Sequence, residues 1–372
     1  MASSKKYQKV ALIVGAGASK GAFLSGARTP PLDSEFLATA KELFDKGGRT
    51  SNNLLISEGK EVWREFKRNL KNIGLEQKSL VDWRLETLTT YLEARANVNF
   101  ENKAGRPALY RNALDRLNRV ICYVLSLSGG DKTCRVHKEM INFFSPKAVI
   151  SFNYDLILDQ TLLGLGKLNW AASTYSKGKT VEVWTGKKRS NRTWYKKRRR
   201  STSGVTLYKL HGSIHWQRLQ RGGPYIVSGV RTFPFKDGHP MEYAKPPKTP
   251  LIVPPVAAKM QIADLGSLWT AAHKELKASS TWVIWGYSFP QTDTITSVLL
   301  KTCVKDARGK KKRVIIINPD STVSERVKAL LGKVNVEHYG SATDFLLKVG
   351  RLHVTATQKP KKRAKTNTAK RG

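Results

Sequence analysis

Five short apolar runs, each followed at once by glycine or a polar motif, constrain the fold of this chain more than any other feature. They are VALIV at 10–14, AVISF at 148–152, VTLYKL at 205–210, WVIW at 282–285 and VIII at 314–317. Continuous apolar runs of this length are typical of strands buried on both faces of a parallel sheet. Residues with helical spacing at 262–276, 294–304 and 323–331 separate or follow the later runs. The alternation predicts an α/β fold with a doubly wound, Rossmann-like parallel sheet.

Two insertions interrupt this pattern. From about 34 to 145 the apolar residues recur at helical spacing, which predicts a helical insertion. Between Trp170 and Pro255, β-branched and aromatic residues are broken by glycine and proline, which indicates β-hairpins, and 164–204 is read as a basic, β-rich insertion. We therefore expect one domain over 1–353 and a basic, disordered tail over 354–372.

The net charge indicates an acidic partner. Lysine and arginine outnumber aspartate and glutamate by 66 to 28, which gives a formal charge of +38. Such a field attracts polyanions such as nucleic acid. The segment Lys196–Arg200 follows Trp194 and Tyr195, a mixture suited to phosphate contact and base stacking, and the basic tail is a second candidate. Both segments fit equally well as solvated, solubilising chain, and that alternative stays open.

Cysteine usage and hydropathy indicate the compartment. Cys122, Cys134 and Cys303 never form a CxxC pair, so neither a disulfide framework nor a zinc ribbon is encoded. No apolar run approaches the roughly 20 residues of a membrane span, and the first ten residues lack the apolar stretch of a signal peptide. These features predict a soluble, cytoplasmic protein without a membrane contact.

The first motif is the glycine loop that follows the first apolar run. Gly15-Ala16-Gly17-Ala18-Ser19 stands between a predicted strand and a predicted helix, where backbone N–H groups and the helix dipole can hold a pyrophosphate. The ordinary dinucleotide fingerprint is not met, because Gly21 comes one residue late and no acid ends a second strand. A glycine turn used only for packing remains the alternative.

Polar residues also follow two later runs. Asn153 and Asp155 come directly after a predicted strand, at the carboxyl edge where α/β sheets bind ligands. An Asx turn that caps the next helix would explain them equally well. His211 follows the run at 205–210 and precedes Gly212, which makes it a candidate general base, although a structural histidine is the commoner case.

Taken together, the motifs resemble those of the sirtuin family and occur in sirtuin order. They are GAGAS at 15–19, Asn153 and Asp155 in SFNYD, His211 in KLHGS, Gly286 and Ser288 in WGYSFP, and Asn318 in INPD. The resemblance runs from residue 10 to about 349 and is greatest to the prokaryotic, NAD-hydrolysing sirtuin-like branch, some of whose members are defence effectors.

This resemblance implies NAD as the substrate and a role for each matching residue. Asn153 would position the nucleophile, His211 would act as general base, and Asp155 would bind the nicotinamide carboxamide. The residues that would hold the rest of NAD are Gly15, Ala16, Gly17 and Ser19 at the phosphates, and Gly286, Ser288 and Asn318 at the adenosine half. No metal is required.

One departure from the family pattern alters the expected reaction. Deacetylating sirtuins carry two CxxC pairs that hold zinc, whereas no cysteine lies between His211 and Cys303 here. The expected activity is therefore NAD glycohydrolysis, triggered by a protein partner, self-association or nucleic acid. An NAD-dependent deacylase, an ADP-ribosyltransferase and a non-catalytic NAD-sensing module that binds nucleic acid remain the alternatives.

Overall fold

A computed structural model describes the fold for most of the chain. The described residues are 9–21, 29–45, 53–75, 80–98, 105–128, 134–170, 204–217, 226–227, 250–253, 265–290, 293–305 and 309–351. The Lys196–Arg200 segment and the basic tail, the two candidates for nucleic-acid binding, lie outside these ranges.

The described strands form two sheets. In chain order they are β1 (Val10–Val14), β2 (Ala148–Ser151), β3 (Leu168–Trp170), β4 (Val205–Lys209), β5 (Gly212–Gln217), β6 (Ile226–Val227), β7 (Pro250–Ile252), β8 (Thr281–Trp285), β9 (Arg313–Ile317) and β10 (Asn335–Tyr339). Among the described residues, seven strands form a parallel sheet in the order β10-β9-β8-β1-β2-β4-β3. Strands β6, β5 and β7 form a small antiparallel sheet.

The main sheet has the predicted doubly wound topology. Strand β1 lies between β2 and β8, so the chain first builds the sheet to one side and then crosses β1 to build the other. In such sheets the ligand cleft opens at the carboxyl ends of the strands, where the strand order reverses. The glycine loop after β1 occupies that position.

The helices lie on both faces of the sheet and in a separate layer. They are α1 (Ala16–Lys20), α2 (Phe36–Asp45), α3 (Asn53–Asn72), α4 (Leu85–Asn97), α5 (Arg106–Ser126), α6 (Arg135–Phe144), α7 (Ile157–Gly164), α8 (Gly266–Ala278), α9 (Thr294–Thr302), α10 (Thr322–Leu331) and α11 (Ala342–Lys348). Helices α8, α9 and α10 match the segments predicted at 262–276, 294–304 and 323–331 to within four residues, and α2 to α6 fall inside the stretch from about 34 to 145 that was predicted to be helical. Helix α11 was not predicted.

Strand residues alternate between two cores. Ile13 and Ile284 pack against α8, α9 and α10 on one face of the sheet, whereas Leu12 and Val283 pack against α6, α7 and α11 on the other. All four side chains are fully buried, which explains why these strands read as continuous apolar runs and not as alternating ones.

The predicted helical insertion is present as a layer with its own core. Helices α2 to α5 bury Trp63, Phe66 and Leu117 among themselves, and Ile214 and Ile252 of the small sheet complete this core. Helix α6, which the sequence grouped with the insertion, instead packs on the main sheet as the crossover before β2. As a domain division, the boundaries at 34 and 145 remain a prediction. None of the described helices is long and apolar enough to cross a membrane.

Candidate active site

The carboxyl edge of the main sheet borders a cavity of about 630 Å³. Leu85 of α4 and Ile121 and Leu125 of α5 also line it, so the cavity lies between the sheet and the helical layer. Its volume is typical of small-molecule sites, which range over about 300–1,000 Å³. Every sequence-predicted site residue except Ser19 lines it, namely Gly15, Ala16, Gly17, Asn153, Asp155, His211, Gly286, Ser288 and Asn318.

The glycine loop after β1 packs directly on the loop after β8. Gly15 N donates to Trp285 O at 3.0 Å, and Gly17 N donates to Gly286 O at 2.9 Å. A Cβ atom on Gly15 would lie 2.6 Å from Gly286 O, which no side chain could tolerate. These glycines therefore serve loop packing, the alternative that the sequence left open. A phosphate bound here would need N–H groups other than those of Gly15 and Gly17.

Gly286→Ala should measurably destabilise the fold. Its φ is +64°, and an added Cβ would lie 2.0 Å from Ala18 N. Gly74→Ala is a matched control, because Gly74 has a φ of +79° with no atom within 4 Å of the added Cβ. We expect Gly286→Ala to lower the free energy of unfolding by about 1–3 kcal/mol more than Gly74→Ala, measured by urea denaturation. Equal losses would show that the loops separate at little cost.

Asn153 and Ser19 join the glycine loop to the segment after β2. Asn153 Nδ2 donates to Gly15 O and to Ser19 Oγ, both at 3.0 Å. Its Oδ1 atom is buried and has no hydrogen-bond partner among the described residues. A buried amide oxygen without a partner costs about 1–3 kcal/mol, so a donor supplied by a ligand would relieve a real deficit. Asn153 itself is only 6% exposed.

Asp155 connects two elements. Its Oδ2 atom accepts from Ser19 Oγ at 2.8 Å, and its Oδ1 atom accepts from Ile157 N at 3.1 Å at the start of α7. It therefore caps a helix, as one interpretation of the sequence held, and also borders the cavity. Burial raises the pKa of this carboxyl, while the nearby Lys209 ammonium and the two donors act in the opposite direction.

A buried ion pair lies beneath these residues. Lys209 Nζ is 2.9 Å from Asp159 Oδ2, and both side chains are 2% exposed. The ammonium also donates to the backbone carbonyls of Asp155 and, at 3.3 Å, of Tyr154. The buried Lys209 ammonium thus holds the backbone around Asn153 and Asp155 against strand β4. His211 lies in the turn that follows this strand.

His211 is enclosed by aromatic rings and faces a carboxylate. Phe152 and Trp269 lie 5.1 and 6.2 Å from its ring, centroid to centroid. His211 Nε2 is 3.7 Å from Asp293 Oδ2, and that oxygen also accepts from Tyr287 Oη at 2.6 Å. Burial and the Asp293 charge raise the pKa of Tyr287 well above its usual value, so this phenol remains a donor. A histidine next to an oriented carboxylate is the arrangement that a general base needs.

The loops after β8 and β9 form the other end of the cavity. Asn318 Nδ2 donates to Tyr287 O at 3.3 Å, and its Oδ1 atom accepts from Asp320 N at 3.0 Å. Arg326 donates to Ser288 O at 2.6 Å. Residues 340–342, after β10, line the same end. Both loops are therefore fixed by internal hydrogen bonds before any ligand binds.

The cavity lining is acidic, although the chain as a whole is basic. Besides His211, two basic residues line it in the described part of the chain, and both form ion pairs: Lys20 with Glu35 at 2.5 Å and Arg84 with Asp33 at 2.7 Å. The carboxylates that line it are Asp33, Glu86, Asp155, Asp293 and Asp320. The formal charge of the described lining residues is therefore opposite in sign to that of the whole chain.

Sequence reasoning missed Asp293 and the Lys209–Asp159 pair. Asp293 stands directly before the helical segment at 294–304, and its Oδ1 atom accepts from Thr296 N at 3.4 Å, so its position as a helix cap could have been recognised. Its approach to His211 depends on tertiary packing. Nothing local distinguishes Lys209 or Asp159 from exposed charges.

The cysteines are dispersed thiols. Cys122, Cys134 and Cys303 are all buried, and burial raises the pKa of each. Within the described ranges, no group of three His, Cys, Asp or Glu side chains could hold a metal ion. That the protein folds without zinc remains a prediction from the sequence.

No protein-family model matches the chain, and no curated protein sequence matches it significantly. Among solved structures, the chain is similar to a Sir2 homologue in complex with NAD, at 13% identity and a TM-score of 0.41, over 94% of this chain and 90% of that one. It is also similar to a mutant Sir2 homologue in complex with 2′-O-acetyl ADP-ribose, at 14% identity and a TM-score of 0.40, over 94% of each chain.

Proposed function

We propose that the protein is an NAD glycohydrolase that cleaves NAD to nicotinamide and ADP-ribose. One observation carries the proposal: segments that resemble sirtuin motifs, separated by more than 300 residues of chain, border a single cavity at the switch point of the sheet. Ser19 Oγ accepts from Asn153 and donates to Asp155 there, and His211 faces Asp293. The described lining supplies both a base and an unsatisfied amide oxygen.

The cavity chemistry is compatible with NAD. The unpartnered Oδ1 atom of Asn153 would accept from a ribose hydroxyl or a water molecule. The oxidised nicotinamide ring carries a positive charge, which the carboxylates of Asp155 and Asp293 would favour. The phosphates would need the backbone N–H of Ala16 and the Lys20 ammonium, both of which border the cavity.

In the proposed reaction a water molecule attacks the ribose carbon that bears nicotinamide. The carbon–nitrogen bond breaks, and its electron pair leaves with nicotinamide, which becomes neutral. His211 accepts the proton of the water, while Asn153 orients the water or a ribose hydroxyl. Asp293 would stabilise the protonated imidazole that forms. A positioned base of this kind typically contributes about 10² to 10⁴ in rate.

Product analysis tests this proposal. Purified protein is incubated with NAD, alone and with DNA or RNA, and the products are separated by liquid chromatography. We expect equimolar nicotinamide and ADP-ribose, with a rate that a partner or nucleic acid increases if the enzyme is a triggered effector. Cyclic ADP-ribose, or ADP-ribose attached to protein, would assign the site to a transferase. NAD binding without turnover under every condition would assign it to a sensor.

A further inference from the structure

Six exposed lysines follow the amino edge of the main sheet, opposite the cavity. They are Lys9, Lys147, Lys277, Lys305, Lys311 and Lys333. Lys9 and Lys147 directly precede β1 and β2, and Lys333 lies two residues before β10. Neighbouring strands are about 4.8 Å apart, so the row is roughly 19 Å long across the five strands from β10 to β2.

Backbone contacts hold Lys9, Lys277, Lys305 and Lys311 in this row. Ser280 N, just before β8, donates to Lys9 O at 3.0 Å. The buried Lys312 ammonium donates to Lys277 O at 3.3 Å, which ties the end of α8 to the start of β9. Lys305 and Lys311 are opposite each other in an antiparallel bridge. We call these six residues the lysine edge.

The lysine edge is not neutralised within the described part of the protein. None of its members forms an ion pair with a described carboxylate, whereas Lys20, Lys67, Lys209 and Lys328 elsewhere each do. Two like charges directly opposite in a β-bridge destabilise the fold. Lys277 lies in the last turn of α8 and complements the helix dipole there, but Lys9, Lys305 and Lys311 lie outside helices and have no such role.

We propose that the lysine edge binds the phosphodiester backbone of nucleic acid without reading its sequence. Along the axis of a duplex, each strand carries one phosphate per about 3.4 Å, so a row of roughly 19 Å parallel to that axis would span the rise of five or six phosphates. An anionic membrane would also attract lysines, but stable docking there usually requires apolar side chains that insert. The large hydrophobic side chains that are exposed in the described ranges, Val98 and Val298, do not belong to this edge.

This surface does not depend on the proposed enzymatic function. The lysine edge lies at the amino ends of the strands and the acidic cavity at their carboxyl ends, so a nucleic acid and a small ligand could be bound together. The separation also keeps the polyanion away from the carboxylates that line the cavity.

Salt-dependent DNA binding of the full chain tests the proposal. In the edge variant, Lys9, Lys277, Lys305 and Lys311 are replaced by glutamine, and binding to a random-sequence duplex is measured by fluorescence anisotropy at about 50–200 mM salt. We expect at least a tenfold loss of affinity at the lowest salt concentration. The slope of log affinity against log salt should become less steep by about 3–4, since each lost contact contributes about 0.9.

A charge-matched control separates a binding site from general attraction. Lys41, Arg64, Arg68 and Lys71 are exposed on the helical layer, and their replacement by glutamine removes the same charge. This control should retain the wild-type slope. Equal losses in the two variants, or no loss in the edge variant, would overturn the proposal. So would an edge variant that loses binding to anionic lipid vesicles while its DNA binding is unchanged.

Discussion

His211→Ala and Asn153→Ala are each expected to slow NAD cleavage by about two to four orders of magnitude. His211 would accept the proton of the nucleophile, and Asn153 would orient that nucleophile through an amide oxygen that has no partner in the described part of the chain. The double variant should lose little more than the more damaged single variant, because residues that act as a unit are not additive. The rate of nicotinamide release, followed by chromatography, measures all three.

Ligand binding should survive these changes. ADP-ribose is a suitable probe, because the wild-type enzyme would not consume it, and calorimetry gives its dissociation constant. We expect a shift of less than about tenfold, or 1.4 kcal/mol, because most contacts would come from the loops after β1, β8 and β9. Near-normal turnover by a folded His211→Ala protein would refute its role as a base. A large loss of ADP-ribose affinity would instead show that the residue holds the ligand.

Lys209→Met should be the most destabilising change in the site. Removal of the ammonium leaves Asp159 buried at 2% exposure without its partner, and such breaks typically cost 3–5 kcal/mol. The carbonyls of Tyr154 and Asp155 lose a donor as well. Urea denaturation at neutral pH measures the loss. Because the change loosens the segment that carries Asn153, the rate of NAD cleavage should also fall in the fraction that remains folded.

Two further variants distinguish the loss of stability caused by breaking the ion pair from the loss caused by replacing a lysine with methionine. Lys209→Met combined with Asp159→Leu removes both charges and should recover at least about 2 kcal/mol relative to Lys209→Met. Lys167→Met is the matched single change at a lysine that is only partly buried and bonds to Asn142 Oδ1 at 2.9 Å. It should cost less than about 1 kcal/mol. If the double variant were as unstable as Lys209→Met, the ion pair would not explain the loss.

The strands, and the order of the polar motifs that follow them, could be predicted because each signal is local. A run such as VALIV at 10–14 is apolar at every position, since alternate residues enter two different cores. The sheet then brings the motif after each strand to one edge, whatever the intervening sequence. Strand β10 escaped prediction because NVEHY is only partly buried at the edge of the sheet and carries charge.

The parts of the site that could not be predicted depend on distant contacts. Gly15 and Gly286 are 271 positions apart, and only the adjacency of β1 and β8 shows that the loop around each leaves no room for a side chain at the other. Lys209 and Asp159 look like ordinary surface charges until β4 and α7 are packed together. Asp293 was recognisable as a helix cap, but its approach to His211 required the fold.

The small antiparallel sheet has a consequence for how the molecule responds to its ligand. Leu251 and Ile252, neighbours on β7, enter the core beneath the main sheet and the core of the helical layer respectively. Residues of the main sheet and of the helical layer also line the cavity. A ligand that contacts both would favour the arrangement in which the helical layer is docked, and this would link occupancy of the cavity to docking of the layer. A substitution deep among α3, α4 and α5 would then change apparent affinity by altering the population of the binding-competent arrangement, without touching the ligand.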